Sequence, residues 1–103
     1  MIRLVEEHRK NIINLCIKYQ VRYLALFGSA MAEPYFDSET SDLDFLVEFQ
    51  PLEKGQYADT YFGLLEALEE LFQRPVDLLM VRAIKNRYFI EAIKQTRELL
   101  YAA

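Results

Sequence analysis

Apolar residues recur at helical spacing over residues 3–19, where Val5, Ile12, Ile13, Cys16, Ile17 and Tyr19 form one stripe, and the period predicts an amphipathic helix. From residue 22 the period changes. Residues 22–27 (RYLALF) read as a strand whose successive positions 23–27 are apolar, which predicts an inner strand covered on both faces. The strand ends at Gly28-Ser29, and residues 30–41 read as a loop. Residues 42–49 read as a second strand: Leu43, Phe45, Val47 and Phe49 share one face, while Asp42, Asp44, Leu46 and Glu48 share the other. Pro51 closes this second strand. Helical spacing returns over 57–72, with Phe62, Leu65, Leu68 and Phe72 expected to be buried. Gly63 costs that helix about 1 kcal/mol relative to Ala. Pro75 opens a third strand over 76–81 (VDLLMV), and residues 86–100 read as a last helix buried through Phe89, Ile93 and Leu100. The order helix, strand, strand, helix, strand, helix predicts an α/β or α+β sandwich of two to three layers.

At 103 residues the chain has room for one core, so residues 1–103 are expected to form a single domain. With 52% hydrophobic and 27% charged residues, disorder is excluded. No apolar run exceeds five residues, against the ~20 that a membrane-spanning helix needs. The charged start MIRLVEEHRK lacks a signal-peptide core, so a cytoplasmic location is expected. A single Cys16 fits a reducing compartment, and one Cys with one His excludes a zinc site built from those residues. The formal net charge of −4 is unevenly spread. Residues 33–77 carry twelve Asp/Glu against two Lys/Arg, whereas both flanking segments are net basic. A protein that coats nucleic acid presents a broad basic face, and this acidic middle argues against direct nucleic-acid binding. Clustered acids repel one another. Simple solvation explains many such clusters; a bound divalent cation is the chemically interesting alternative.

Two short patterns carry that chemistry. Gly28 after a strand lets a ligand approach the backbone, and Ser29 adds a hydroxyl, although a Gly-Ser pair is also an ordinary turn signal. Asp42 and Asp44, on one face of a strand, lie ~6.5–7 Å apart by strand rise and can lean onto shared cations, although Asp-x-Asp is also common at solvated strand ends. Asp77 discriminates between these readings. It interrupts Val76, Leu78, Leu79, Met80 and Val81, where a lone carboxylate is costly without a partner. If the second and third strands are neighbours, Asp77 can meet the face of Asp42 and Asp44. Three carboxylates converging on Mg²⁺ beside a phosphate cradle suit nucleotidyl transfer.

Leu26-Phe27-Gly28-Ser29, then Ser41-Asp42-Leu43-Asp44-Phe45-Leu46-Val47 with twelve residues between Ser29 and Asp42, and finally Pro75-Val76-Asp77-Leu78 resemble the minimal nucleotidyltransferase (MNT) family of the polymerase-β-like superfamily. The resemblance runs from the first strand to the last helix. It implies a small mixed β-sheet packed with helices, with Gly28 and Ser29 binding the nucleotide phosphates. Asp42 and Asp44 would ligate two Mg²⁺ ions. Asp77 would complete the metal site and help deprotonate the acceptor hydroxyl. Small stand-alone members of the family are commonly antitoxins of type VII HEPN/MNT toxin–antitoxin pairs, which move AMP from ATP onto a tyrosine of a HEPN RNase toxin. A HEPN-domain partner in a homo- or hetero-oligomer is therefore expected. The sequence departs from the family where an Arg commonly follows Gly-Ser: Ala30, Met31, Ala32 and Glu33 stand there, and a bidentate phosphate ligand is absent. The departure leaves open an interaction module that neutralises its partner by occlusion. Transfer to a small molecule fits less well, since a chain of this size has little surface left to hold such an acceptor. Tyr88, Phe89, Leu99, Leu100 and Tyr101 would place a docking surface on the last helix, or pack it on the protein's own sheet.

Overall fold

The computed structural model describes residues 3–27, 43–89, 91 and 97–103. Two short helices, α1 (Arg3–Glu7) and α2 (Arg9–Lys18), lead into strand β1 (Val21–Phe27). Strand β2 (Leu43–Phe49), helix α3 (Gln56–Phe72) and strand β3 (Val76–Met80) follow. A 3₁₀ turn (Val81–Ala83) and strand β4 (Glu98–Ala102) complete the order. The sheet runs β3-β2-β1-β4. β2 and β4 flank β1 antiparallel, whereas β3 runs parallel to β2, so the sheet is mixed. Parallel neighbours need a crossover, and α3 supplies it as the helix of a β2–α3–β3 unit.

Each boundary has a local cause. Gln20 at φ 56° turns the chain out of α2, and its carbonyl accepts the Gln50 amide hydrogen at 2.9 Å, tying the helix end to the end of β2. Gln73 at φ 54° ends α3 in the same left-handed conformation, and its Nε2 donates to the Glu70 carbonyl at 2.6 Å. Pro75 then resets the chain to extended geometry ahead of β3.

The core lies between one sheet face and the helices. Leu24 and Leu26 of β1, Leu43, Phe45 and Val47 of β2, and Val76 and Leu78 of β3 meet Val5, Ile12 and Cys16, with Leu64, Leu68 and Phe72 of α3. The alternation expected for β2 is the one observed. Its opposite face is not bare, because Ala25 and Leu46 there are buried too. β1 is thus an inner strand covered on both sides, as its unbroken apolar run predicts.

Several expectations are corrected. The helix expected over 86–100 does not reach its end: residues 98–102 form β4, whose Leu24–Tyr101 and Ala25–Leu99 pairs extend the sheet from three strands to four. Leu99, Leu100 and Tyr101 therefore belong to a strand and not to a helical docking face, and Leu100 joins the core. Helical backbone is present at 87–89, and Ile93 lies outside the described residues. The helix expected over 3–19 breaks at His8, which is half-buried against the Phe72 ring at 5.2 Å and has Nδ1 2.9 Å from the Leu4 carbonyl. His8 is a packing residue. Phe62, Ile17 and Phe89, expected inside, are 57%, 63% and 43% exposed. The buried stripe of α3 runs instead through Leu64, Leu68 and Phe72. Gly63 also has a reason to be there. A Cβ at that position would lie 2.6 Å from Cε1 of Tyr19, so α3 approaches that ring only because residue 63 has no side chain.

Burial pushes the Cys16 thiol from 9.0 up to about 12. The unfolded chain loses this proton first, so the linked stability is intact below pH 9 and falls as pH rises toward 12. Denaturant melts between pH 8 and 11 are expected to show that decline, and the Cys16→Ala variant is expected to show a shallower one.

Candidate active site

The C-terminal end of β1 and the N-terminal ends of β2 and β3 meet at one edge of the sheet, because β2 is antiparallel to β1 and parallel to β3. Register then sets a row across the strands: Phe27 pairs with Asp44, and Asp44 pairs with Asp77. Paired residues on adjacent strands point to the same face at a strand spacing of ~4.8 Å. Asp44 and Asp77, 33 positions apart in the chain, are direct neighbours on the face opposite the helix-packed core. Asp44 is half-buried and Asp77 is exposed at the β3 edge of the sheet.

The start of β3 is held from three sides. The Val76 amide donates to a carboxylate oxygen of Glu69 on α3 at 3.2 Å. The Leu43 amide reaches the Pro75 carbonyl at 3.5 Å, and the Tyr61 hydroxyl donates to the Leu78 carbonyl at 2.6 Å. These contacts bracket Asp77 on both sides along the chain. Burial raises the Tyr61 pKa above the usual tyrosine value, and the negative charge of Asp77 raises it further. Tyr61 therefore stays neutral and keeps donating its hydroxyl hydrogen to the Leu78 carbonyl. Glu69 and Tyr61 give no signal in the sequence, since a Glu and a Tyr on a helix are ordinary surface and boundary residues.

The structure thus brings together two of the expected carboxylates, Asp44 and Asp77. Asp42, Gly28 and Ser29 lie outside the described residues. In the chain, Gly28 follows the last residue of β1 and Asp42 precedes the first residue of β2. Among the described residues no cluster of three or more His, Cys, Asp or Glu forms, so the described part of the site is a carboxylate pair. The donors are hard oxygens on adjacent strands, one of them open to solvent. That set suits Mg²⁺, which favours carboxylate oxygens and retains several waters. Among the described residues no helix is long and apolar enough to cross a membrane.

The Polymerase beta, Nucleotidyltransferase family model matches residues 10–103, and the chain belongs to this nucleotidyltransferase family. A Methanocaldococcus jannaschii protein named "Putative protein adenylyltransferase MJ1379" is 33% identical over 99 residues, spanning 95% of this chain and 90% of that protein. The fold recurs in a crystal structure of a toxin-antitoxin with AMP-PNP, at a TM-score of 0.69 and 18% identity, covering 92% of this chain and 73% of that one. It recurs again in the complex of a tri-AMPylated Shewanella oneidensis HEPN toxin with an MNT antitoxin, at a TM-score of 0.65 and 17% identity, covering 95% and 72%.

Proposed function

We propose that this nucleotidyltransferase moves AMP from ATP onto a protein hydroxyl, a tyrosine of a HEPN toxin, and so acts as the antitoxin of the pair. The observation that carries this reading is the register pairing of Asp44 with Asp77 at the strand ends where β1 and β2 meet. The adenylyltransferase name of the archaeal relative and the AMPylated toxin in the Shewanella oneidensis complex support the donor and the acceptor class.

Asp42, Asp44 and Asp77 would hold Mg²⁺, and Gly28 and Ser29 would bind the phosphates. When bound, Mg²⁺ supplies charge neutralisation of the triphosphate and of the leaving pyrophosphate. Asp77, the exposed carboxylate, would accept the proton of an arriving hydroxyl. The hydroxyl oxygen then bonds to the α-phosphorus, the bond from α-phosphorus to the bridging oxygen breaks, and pyrophosphate leaves. A protein acceptor brings its own surface, which suits a site at an open sheet edge.

The test is transfer of label from [α-³²P]ATP to the co-purified partner in Mg²⁺, with wild type and Asp44→Asn. Wild type is expected to label the partner and Asp44→Asn is not, with the complex intact in both. Neutralisation of the partner by Asp44→Asn without any labelling would replace transfer by occlusion.

A further inference from the structure

One aromatic side chain at the same sheet end has no role in this scheme. Phe89 is 43% exposed, and its ring meets that of Phe27 edge to face, with centroids 6.4 Å apart and planes at 86°. Phe27 is the register partner of Asp44, so the aromatic pair adjoins the carboxylate row. Single exposed apolar residues are ordinary. Phe89 differs in being held. Asn86 Oδ1 accepts the amide hydrogens of Tyr88 at 2.9 Å and Phe89 at 3.2 Å, which caps the helical residues 87–89 and fixes the backbone that carries the ring. The edge-to-face contact with Phe27 then steadies the ring at a favourable aromatic geometry. A braced, partly exposed ring beside the proposed phosphate site is a surface on which a heterocycle can stack at a reduced ordering cost.

The geometry points to Phe89 as the platform on which the purine base of the nucleotide stacks, with Phe27 as its brace. This rests on the reading that Asp44 and Asp77 handle the triphosphate end of the same molecule. Stacking uses the π-face common to all bases, so the platform adds affinity for a base without choosing between adenine and guanine.

The test compares calorimetric binding of ATP and of inorganic triphosphate, both in Mg²⁺, for wild type, Phe89→Leu and Asp77→Asn. Phe89→Leu keeps an apolar contact to Phe27 and loses the π-face. It is expected to weaken ATP binding about 5- to 150-fold while leaving triphosphate binding unchanged. The chain has no Trp, so Phe89→Trp gives a single reporter whose fluorescence ATP should quench and triphosphate should not. If Phe89→Leu leaves ATP binding unchanged, or weakens both ligands equally, the platform is wrong. Loss of transfer with ATP binding unchanged would assign the ring to the acceptor and likewise overturn the base-stacking role. Triphosphate binding lost in Asp77→Asn, with ATP binding indifferent to Phe89, removes the platform alone. Binding of both ligands that ignores Asp77 removes the carboxylate reading, and the platform with it.

Discussion

Asp77→Asn is expected to slow nucleotidyl transfer by on the order of 10³-fold or more while leaving the protein as stable as wild type or slightly more so. The loss follows from the role proposed for this carboxylate: metal-assisted charge stabilisation is worth several kcal/mol, and each 1.36 kcal/mol is a factor of ten in rate. The gain follows from register. Asp77 sits directly beside Asp44 on the same face, and like charges on adjacent strands destabilise a sheet by roughly 0.2–1 kcal/mol. Asp77 is exposed, so the amide meets no packing penalty. Opposite signs in the two measurements distinguish a functional carboxylate from a structural one. Label-transfer rates and thermal melts on the same preparation read both. A variant that melts several degrees lower, with transfer lost only in proportion to unfolding, would make Asp77 structural. A variant that keeps wild-type transfer would remove it from the chemistry.

The largest effect on stability is expected from Phe45→Ala, at about 3–5 kcal/mol. Phe45 is fully buried at the centre of β2, where register sets it between Leu26 and Leu78, and its ring lies 6.0 Å from that of Phe72 on α3. Truncation opens a cavity where sheet and helix join. The total stability of a domain is only about 5–15 kcal/mol, so such a loss removes a large part of it. For a domain of this size it corresponds to roughly 12–40 °C in Tm. Phe45 also follows Asp44 directly in the strand. The variant is therefore expected to lose transfer at temperatures well below the wild-type melt, in step with unfolding. A melting point within a few degrees of wild type would show that the site collapses around the deletion.

The sequence by itself determined everything that depends on parity along a single strand. Alternation put Leu43, Phe45 and Val47 inside, and Asp44 with Leu46 on the other face. The same alternation put Asp77 opposite Val76 and Leu78 on β3. Strand parity is local, so it can be read without knowing the neighbours. The oddness of a carboxylate in VDLLM was legible for the same reason. Which strands adjoin, and in what register, was decided by the tertiary structure alone. The row Phe27–Asp44–Asp77 depends on a parallel β2–β3 pairing created by the α3 crossover, and nothing in any one segment encodes it.

The misread C-terminus has a similar cause. Glu98, Leu99, Leu100 and Ala102 are good helix formers taken locally, and the free edge of β1 overrides that preference by pairing with them. The buried stripe of α3 was rotated away from Phe62 toward Leu64 because the sheet sets which side of the helix faces inward. Gly63, legible only as a cost in the sequence, marks the close approach of Tyr19. Phe89 was expected inside and is exposed, and Phe27 was legible as the strand residue before Gly28-Ser29. Their edge-to-face contact beside Asp44 exists because separate parts of the chain converge on one end of the sheet, and hydrophobic pattern specifies burial, not the identity of the neighbour.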